Sequence, residues 1–230
     1  MSTPATPLFP SALARTRSHA LRGLASLAVP RSVLVTRGPR RADPPRVALT
    51  FDDGPDGTTA RYLDVLARHG VRATFFFVGQ QAEAAPDLVA ACAREGHEIG
   101  GHGWSHESFA AMPAARLADE LERTDRLLPR TPGRRPLVRP PWGALSASAL
   151  LAAAIGGFTT VLWSCDSDDC RTRDAEVVLR RVEPRRVGPG GIVLMHEQQP
   201  WTLEALPRAV VAFRDAGYEL VTVSELFERT

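Results

Sequence analysis

Two short segments of the chain carry side chains suited to metal-assisted chemistry. Asp52 and Asp53 are adjacent and are followed by Gly54 and Pro55. One carboxylate of such a pair can hold a cation while its neighbour moves protons, although a bare pair also fits a solvated loop. His102 and His106 stand four residues apart in His-Gly-Trp-Ser-His. On one helical turn that spacing puts both imidazoles on one side, where they can share a metal; alone, the pair also fits a structural role. With Asp53 they make a set of two histidines and one carboxylate. That set suits Zn²⁺ or a similar divalent ion with a position left open for water.

Elements that deliver these residues to one place can be read from the same sequence. Short apolar runs predict strands at Val47 to Phe51, Ala73 to Val78, His97 to Gly100, Leu137 to Arg139, Thr159 to Cys165, Gly191 to His196 and Tyr218 to Val221. Helical patterns separate them: Thr58 to His69, Pro86 to Glu95, a stretch opened by Pro113 as first helical residue, one opened by Ser146, Arg173 to Val182, and Leu203 to Ala216. Ser224 is read as the cap of a last helix. Strands alternating with helices imply a parallel sheet. No Gly-x-Gly-x-x-Gly follows a strand, and no phosphate-binding loop is present. The polar residues fall just past the strand ends: Asp52 and Asp53, His102, Arg139, Asp166 to Asp169, and His196. Five strands bringing polar groups to one face favour a barrel with its site at the C-terminal mouth.

Five segments in order resemble the motifs of the polysaccharide deacetylase family, the NodB-homology group, carbohydrate esterase family four. They are Thr50-Phe-Asp-Asp-Gly-Pro55, His102-Gly-Trp-Ser-His106, Arg139-Pro-Pro-Trp-Gly143, Asp169-Cys170 and Leu194-Met-His196. The resemblance spans roughly residues 46 to 228. It implies a distorted (β/α)7 barrel of the α/β class, a bound divalent metal, and hydrolysis of N-acetyl or O-acetyl groups on sugars. It further implies Asp53, His102 and His106 as metal ligands, Asp52 as general base and His196 as general acid. Arg139 would hold Asp52, Asp169 would orient His196, and the backbone N–H of Trp142 would help bind the oxyanion. Trp142, Pro140, Cys170 and Leu194 are expected to line the substrate site. The metal expected is zinc, with cobalt, nickel or manganese as alternatives.

These roles make chemical sense. An amide carbonyl is a poor electrophile and neutral water a poor nucleophile. A metal answers both needs, a carboxylate takes the proton from water, and a histidine held by a carboxylate protonates the departing amine. Four positions depart from the family pattern. Gly103 replaces the usual Ser or Thr, Trp142 the usual Tyr or Phe, Cys170 a frequent Trp, and Glu197 a frequent Asp. None removes a catalytic group; together they bear on the substrate.

Residues 46–230 therefore read as a polysaccharide deacetylase catalytic domain. Residues 1–45 read as a Pro/Arg-rich arm without strand alternation and with a helical pattern from Ser11 to Val29. Length, 230 residues, and an apolar fraction of 44% allow a buried core. A net charge of +2 gives no electrostatic case for nucleic acid or a membrane surface, and no run approaches a transmembrane segment. The expected partner is an acetylated carbohydrate or glycoconjugate. Three cysteines cannot build a disulfide framework and are read as free thiols. Arg15, Arg17 and Arg22 precede only a short, weakly apolar stretch, a poor signal peptide. A cytoplasmic location is expected, with the cell envelope or secretion as alternatives. The leading function is removal of acetyl groups from N-acetylated sugars. The rivals are an O-acetyl esterase, a small-molecule C–N hydrolase on the same barrel, and an inactive sugar-binding module.

Overall fold

Residues Arg46–Gly54 are buried on both faces of the pleat and form the longest strand among the described residues, the axis around which the others assemble. The structure is a computed structural model that describes residues 29–228. In chain order its strands are β1 (Leu34–Val35), β2 (Arg46–Gly54), β3 (Thr74–Phe77), β4 (Glu98–Gly101), β5 (Leu137–Val138), β6 (Thr159–Val161), β7 (Cys165–Asp166), β8 (Gly191–His196) and β9 (Glu219–Leu220). Its helices are α1 (Thr59–Arg68), α2 (Gly79–Ala84), α3 (Pro86–Arg94), α4 (Ala114–Asp125), α5 (Ala147–Ile155), α6 (Ala175–Arg181), α7 (Pro184–Val187) and α8 (Pro200–Asp215).

All strand pairs are parallel, in the order β1-β6-β5-β4-β3-β2-β8-β7, with β9 beside the start of β2. The expected strand from Thr159 to Cys165 is broken in two. Its first part pairs with β5, its last part with β8, and Ser164 N–H donates to the Ile192 carbonyl between them. One segment thus joins the two ends of the curled sheet, which is the distorted (β/α)7 barrel expected of the sequence. Two residues ahead of the first expected strand, Leu34–Val35, also pair in the sheet, against Thr160 and Val161. Two residues are too few to show an alternation. The helical pattern from Ser11 lies outside the described residues except for Val29, which packs on the barrel interior.

Period-2 alternation sorts the strand residues between two clusters. Val47, Leu49, Phe51, Phe75, Phe77, Val193 and Met195 pack outward against Leu66, Leu206 and Phe213 of the helices. Ala48, Phe76, Leu137, Ile192 and Leu194 fill the barrel. Burying each of the Val, Leu, Ile, Phe and Met side chains contributes roughly 1.5–3 kcal/mol relative to leaving it exposed. Inward rows therefore run Ala48–Thr50–Asp52 on β2 and Ile192–Leu194–His196 on β8, and Asp52 pairs in register with His196. The alternation that fills the core also lifts these two side chains into the mouth.

Helix ends differ modestly from expectation. Ser146 caps α5 by accepting from Ala149 N–H, and Asp174 caps α6. Pro113 is not the first helical residue: it is extended (ψ 140°) and precedes α4. Ser224 makes no side-chain cap; its N–H donates to Glu98. Among the described residues no helix is long and apolar enough to cross a membrane. Cys92, Cys165 and Cys170 are free thiols.

Candidate active site

Asp53 follows Asp52 on β2, so plain alternation would send its carboxylate to the helix side. A bulge prevents that. The register with β3 skips Asp53, which has φ 72°, and resumes at Gly54. Gly54 is required here because a Cβ would lie 2.0 Å from Oε1 of Glu197, a buried carboxyl beneath the bulge. Thr59 donates its hydroxyl hydrogen bond to Glu197, tying α1 to the end of β8. Burial, offset in part by Thr59 and reinforced by Asp56, Asp53 and Asp52, pushes the Glu197 pKa up to about 8.

His102 extends the inward row of β4, and its N–H continues the ladder to the Phe77 carbonyl. Contrary to expectation, His102 and His106 do not share a helical turn. Residues 102–108 form a loop that needs φ 78° at Gly103 and 55° at His106. The loop nevertheless brings the imidazoles to a centroid separation of 5.1 Å. His106 Nε2 lies 3.0 Å and His102 Nε2 3.4 Å from Asp53 Oδ1. His102 Nδ1 lies 2.7 Å from the Arg139 carbonyl. That contact makes Nδ1 the donor and leaves the Nε2 lone pair for a cation.

The donor set fits a divalent metal. One atom each from Asp53, His102 and His106 lie within 4.8 Å of one another, and Asp53 Oδ1 is buried without a hydrogen-bond partner.

Arg139 is fully buried. Its Nη1 donates to Asp52 Oδ1 at 2.7 Å and to Thr50 Oγ1 at 2.8 Å, and its guanidinium lies 4.0 Å from the Phe76 ring centroid. Burial lowers its pKa and Asp52 counters, so the guanidinium stays charged at neutral pH. Across the mouth His196 Nδ1 meets Asp169 Oδ1 at 2.7 Å. Asp169 Oδ2 accepts from His196 N–H at 2.7 Å and from Thr202 at 2.8 Å. Burial would lower the His196 pKa, but the Asp169 carboxylate dominates and raises it well above the ordinary histidine value. Asp166 and Asp168 have other duties, pairing with Arg171 and Arg181.

The residues expected to line the substrate site divide. Trp142 is 45% exposed at the mouth, edge-on to His106 at 4.8 Å. Cys170 is half-buried, with its sulfur within 4.8 Å of donor atoms of Asp169 and His196. Pro140 is buried, and Leu194 packs in the barrel interior one layer below His196, leaving these two almost no surface for a ligand. Trp201 is half-buried beside Ala175, Val178 and Ala205, and its indole N–H donates to the Asp169 carbonyl.

Sequence reasoning missed Thr50, Thr59, Thr202 and Glu120. Glu120 carried a visible signal: it stands in the apolar stripe of α4 with Leu117, Leu121 and Thr124.

The sequence matches the polysaccharide deacetylase family over residues 40–161. The chain belongs to this family. The peptidoglycan-N-acetylglucosamine deacetylase PgdA of Listeria monocytogenes is 35% identical over 201 residues, which is 86% of this chain and 42% of that protein. The chain thus spans less than half the length of that relative. The crystal structure of a peptidoglycan N-acetylglucosamine deacetylase superposes with a TM-score of 0.79 at 31% identity, covering 86% of this chain and 94% of that one. A CE4 family pseudoenzyme from Bacillus anthracis superposes at 0.77 with 26% identity, covering 85% and 69%. Family membership therefore leaves activity to be argued from the site.

Proposed function

We propose that this polysaccharide deacetylase family member is a metal-dependent hydrolase that removes acetyl groups from N-acetylglucosamine-containing glycans. One observation carries the reading. The Asp53, His102 and His106 donors share a mouth with two braced proton-transfer groups, Asp52 held by Arg139 and His196 held by Asp169.

Asp53, His102 and His106 would hold the cation, zinc first, with cobalt, nickel or manganese as alternatives. When bound, it polarises the acetyl carbonyl and acidifies water. Asp52 takes the proton from the attacking water, and Arg139 fixes its carboxylate through Oδ1. The tetrahedral oxyanion on the substrate carbon receives a hydrogen bond from the Trp142 N–H. His196, kept protonated by Asp169, delivers a proton to the nitrogen as the C–N bond breaks. The small Cys170 beside His196 leaves room near the acyl group, where the family often has Trp.

The relatives favour a peptidoglycan-type glycan, and such a substrate favours the cell envelope over the cytoplasm as the place of action. Acetate release tests this reading. N-acetylglucosamine oligomers and peptidoglycan fragments should be turned over faster than acetylated xylan or small acetylated metabolites. Preference for O-acetyl xylan would establish the esterase reading instead.

A further inference from the structure

We infer that Glu120, outside every family motif, is a positioning residue that sets metal affinity by holding the loop between the two histidines. The inference rests on the metal reading above and names a residue that reading does not use.

Gly103 has φ 78°, and a Cβ there would lie 3.0 Å from the Phe109 ring. A Ser or Thr, usual in the family at this position, would be strained at that φ and would press on the Phe109 ring, and this chain lacks the hydroxyl that could brace the loop from within. The need for a brace is high, because His106 sits at φ 55°, a conformation a non-glycine residue keeps only when its surroundings impose it. His102 is anchored through its ring by the Arg139 carbonyl. The His106 ring meets Asp53, the His102 ring and Trp142 but, among the described residues, no backbone carbonyl, so its placement follows from the backbone that carries it.

Glu120 holds that backbone. Its Oε2 accepts from Trp104 N–H at 3.2 Å and Ser105 N–H at 3.4 Å. Its Oε1 accepts from the Ser105 hydroxyl at 3.0 Å. Two successive amides between the histidines therefore point at one buried carboxylate, 7% exposed, on the inner face of α4. Arg116, one turn earlier, pairs with Oε1 at 3.2 Å and with Glu107 at 2.6 Å, bracing the far side of the loop. A carboxylate accepting from two adjacent backbone N–H groups and a hydroxyl fixes the direction of that backbone by charge-assisted hydrogen bonds. A residue that orients ligands in this way commonly changes metal affinity by about 10- to 100-fold when removed.

Zinc affinity, measured by competition with a chromophoric chelator on the full chain, tests the inference. Glu120→Ala should bind Zn²⁺ about 10- to 100-fold more weakly, and saturating zinc should bring kcat back towards the parent value. Glu120→Gln keeps the shape and one acceptor and should lose less, about 10-fold, the lower end of the same range. In a His106→Ala background neither change should weaken zinc further. If Glu120→Ala does not fold, Glu120→Gln alone decides. Unchanged zinc affinity in a variant that melts like the parent overturns the role of Glu120. Failure of the parent chain to bind zinc overturns the metal reading itself, and this inference with it.

Discussion

Asp52 and His196 face each other in register across β2 and β8, yet opposite partners prepare them for opposite tasks. Arg139, a cation, fixes the Asp52 carboxylate by hydrogen bonding to Oδ1; Asp169, an anion, favours a protonated His196. Asp52→Asn should keep the fold and the metal, because the amide fills the same space, and should lower kcat by about 10²- to 10⁴-fold. A loss under about tenfold, below the range of general acid–base groups, would assign the base elsewhere. The His196–Asp169 pair predicts a pH effect of definite sign. Its raised pKa means His196 keeps its proton to higher pH than an ordinary histidine, so the alkaline limb of kcat/KM should lie above about 6.5. Asp169→Asn removes the charge that raises it, and the limb should move to lower pH. A limb that stays in place would show that it reports another group. Both residues were legible because their types and their places at strand ends carry the chemistry. Thr50 and Thr202 were not, since their partners lie 89 and 33 residues away in the chain.

Two irregular elements, the β2 bulge and the loop after β4, build the metal set. The loop was not legible, and of the bulge only the turn-forming Gly54 after the two carboxylates was. The bulge depends on Glu197 lying under Gly54, a contact across 143 residues, and the positive φ of Asp53 leaves no local signature. Spacing of four between His102 and His106 suggested a helical turn. Gly103 at φ 78° and the capture of the Trp104 and Ser105 amides by Glu120 produce a loop instead. Gly54→Ala tests the bulge. The new methyl would displace the Glu197 carboxyl from its hydrogen bond with Thr59, and such overpacking costs about 1–3 kcal/mol. Glu197→Asp, one methylene shorter, should relieve part of that loss in the double variant. Denaturant unfolding of the four proteins checks it; strictly additive losses would mean that Glu197 and Gly54 do not compete for space.

At the scale of the molecule, the barrel converts scattered positions into one site. Short apolar runs and the helical stretches between them made most elements legible, and polar residues past the strand ends made the mouth legible. The break between β6 and β7 was not, because Leu162 and Trp163 are as apolar as the strands they separate and are themselves core. The whole arrangement stands for one claim: a metal held by Asp53, His102 and His106 enables hydrolysis of an N-acetyl sugar. Acetate release from N-acetylglucosamine oligomers, followed while zinc is titrated into chelator-stripped protein, tests it most directly. The account predicts negligible release without metal, a rise that saturates at one zinc per chain, and no rise in His106→Ala at the same zinc. Equal release by stripped and reconstituted protein, or no release at full zinc occupancy, would contradict it.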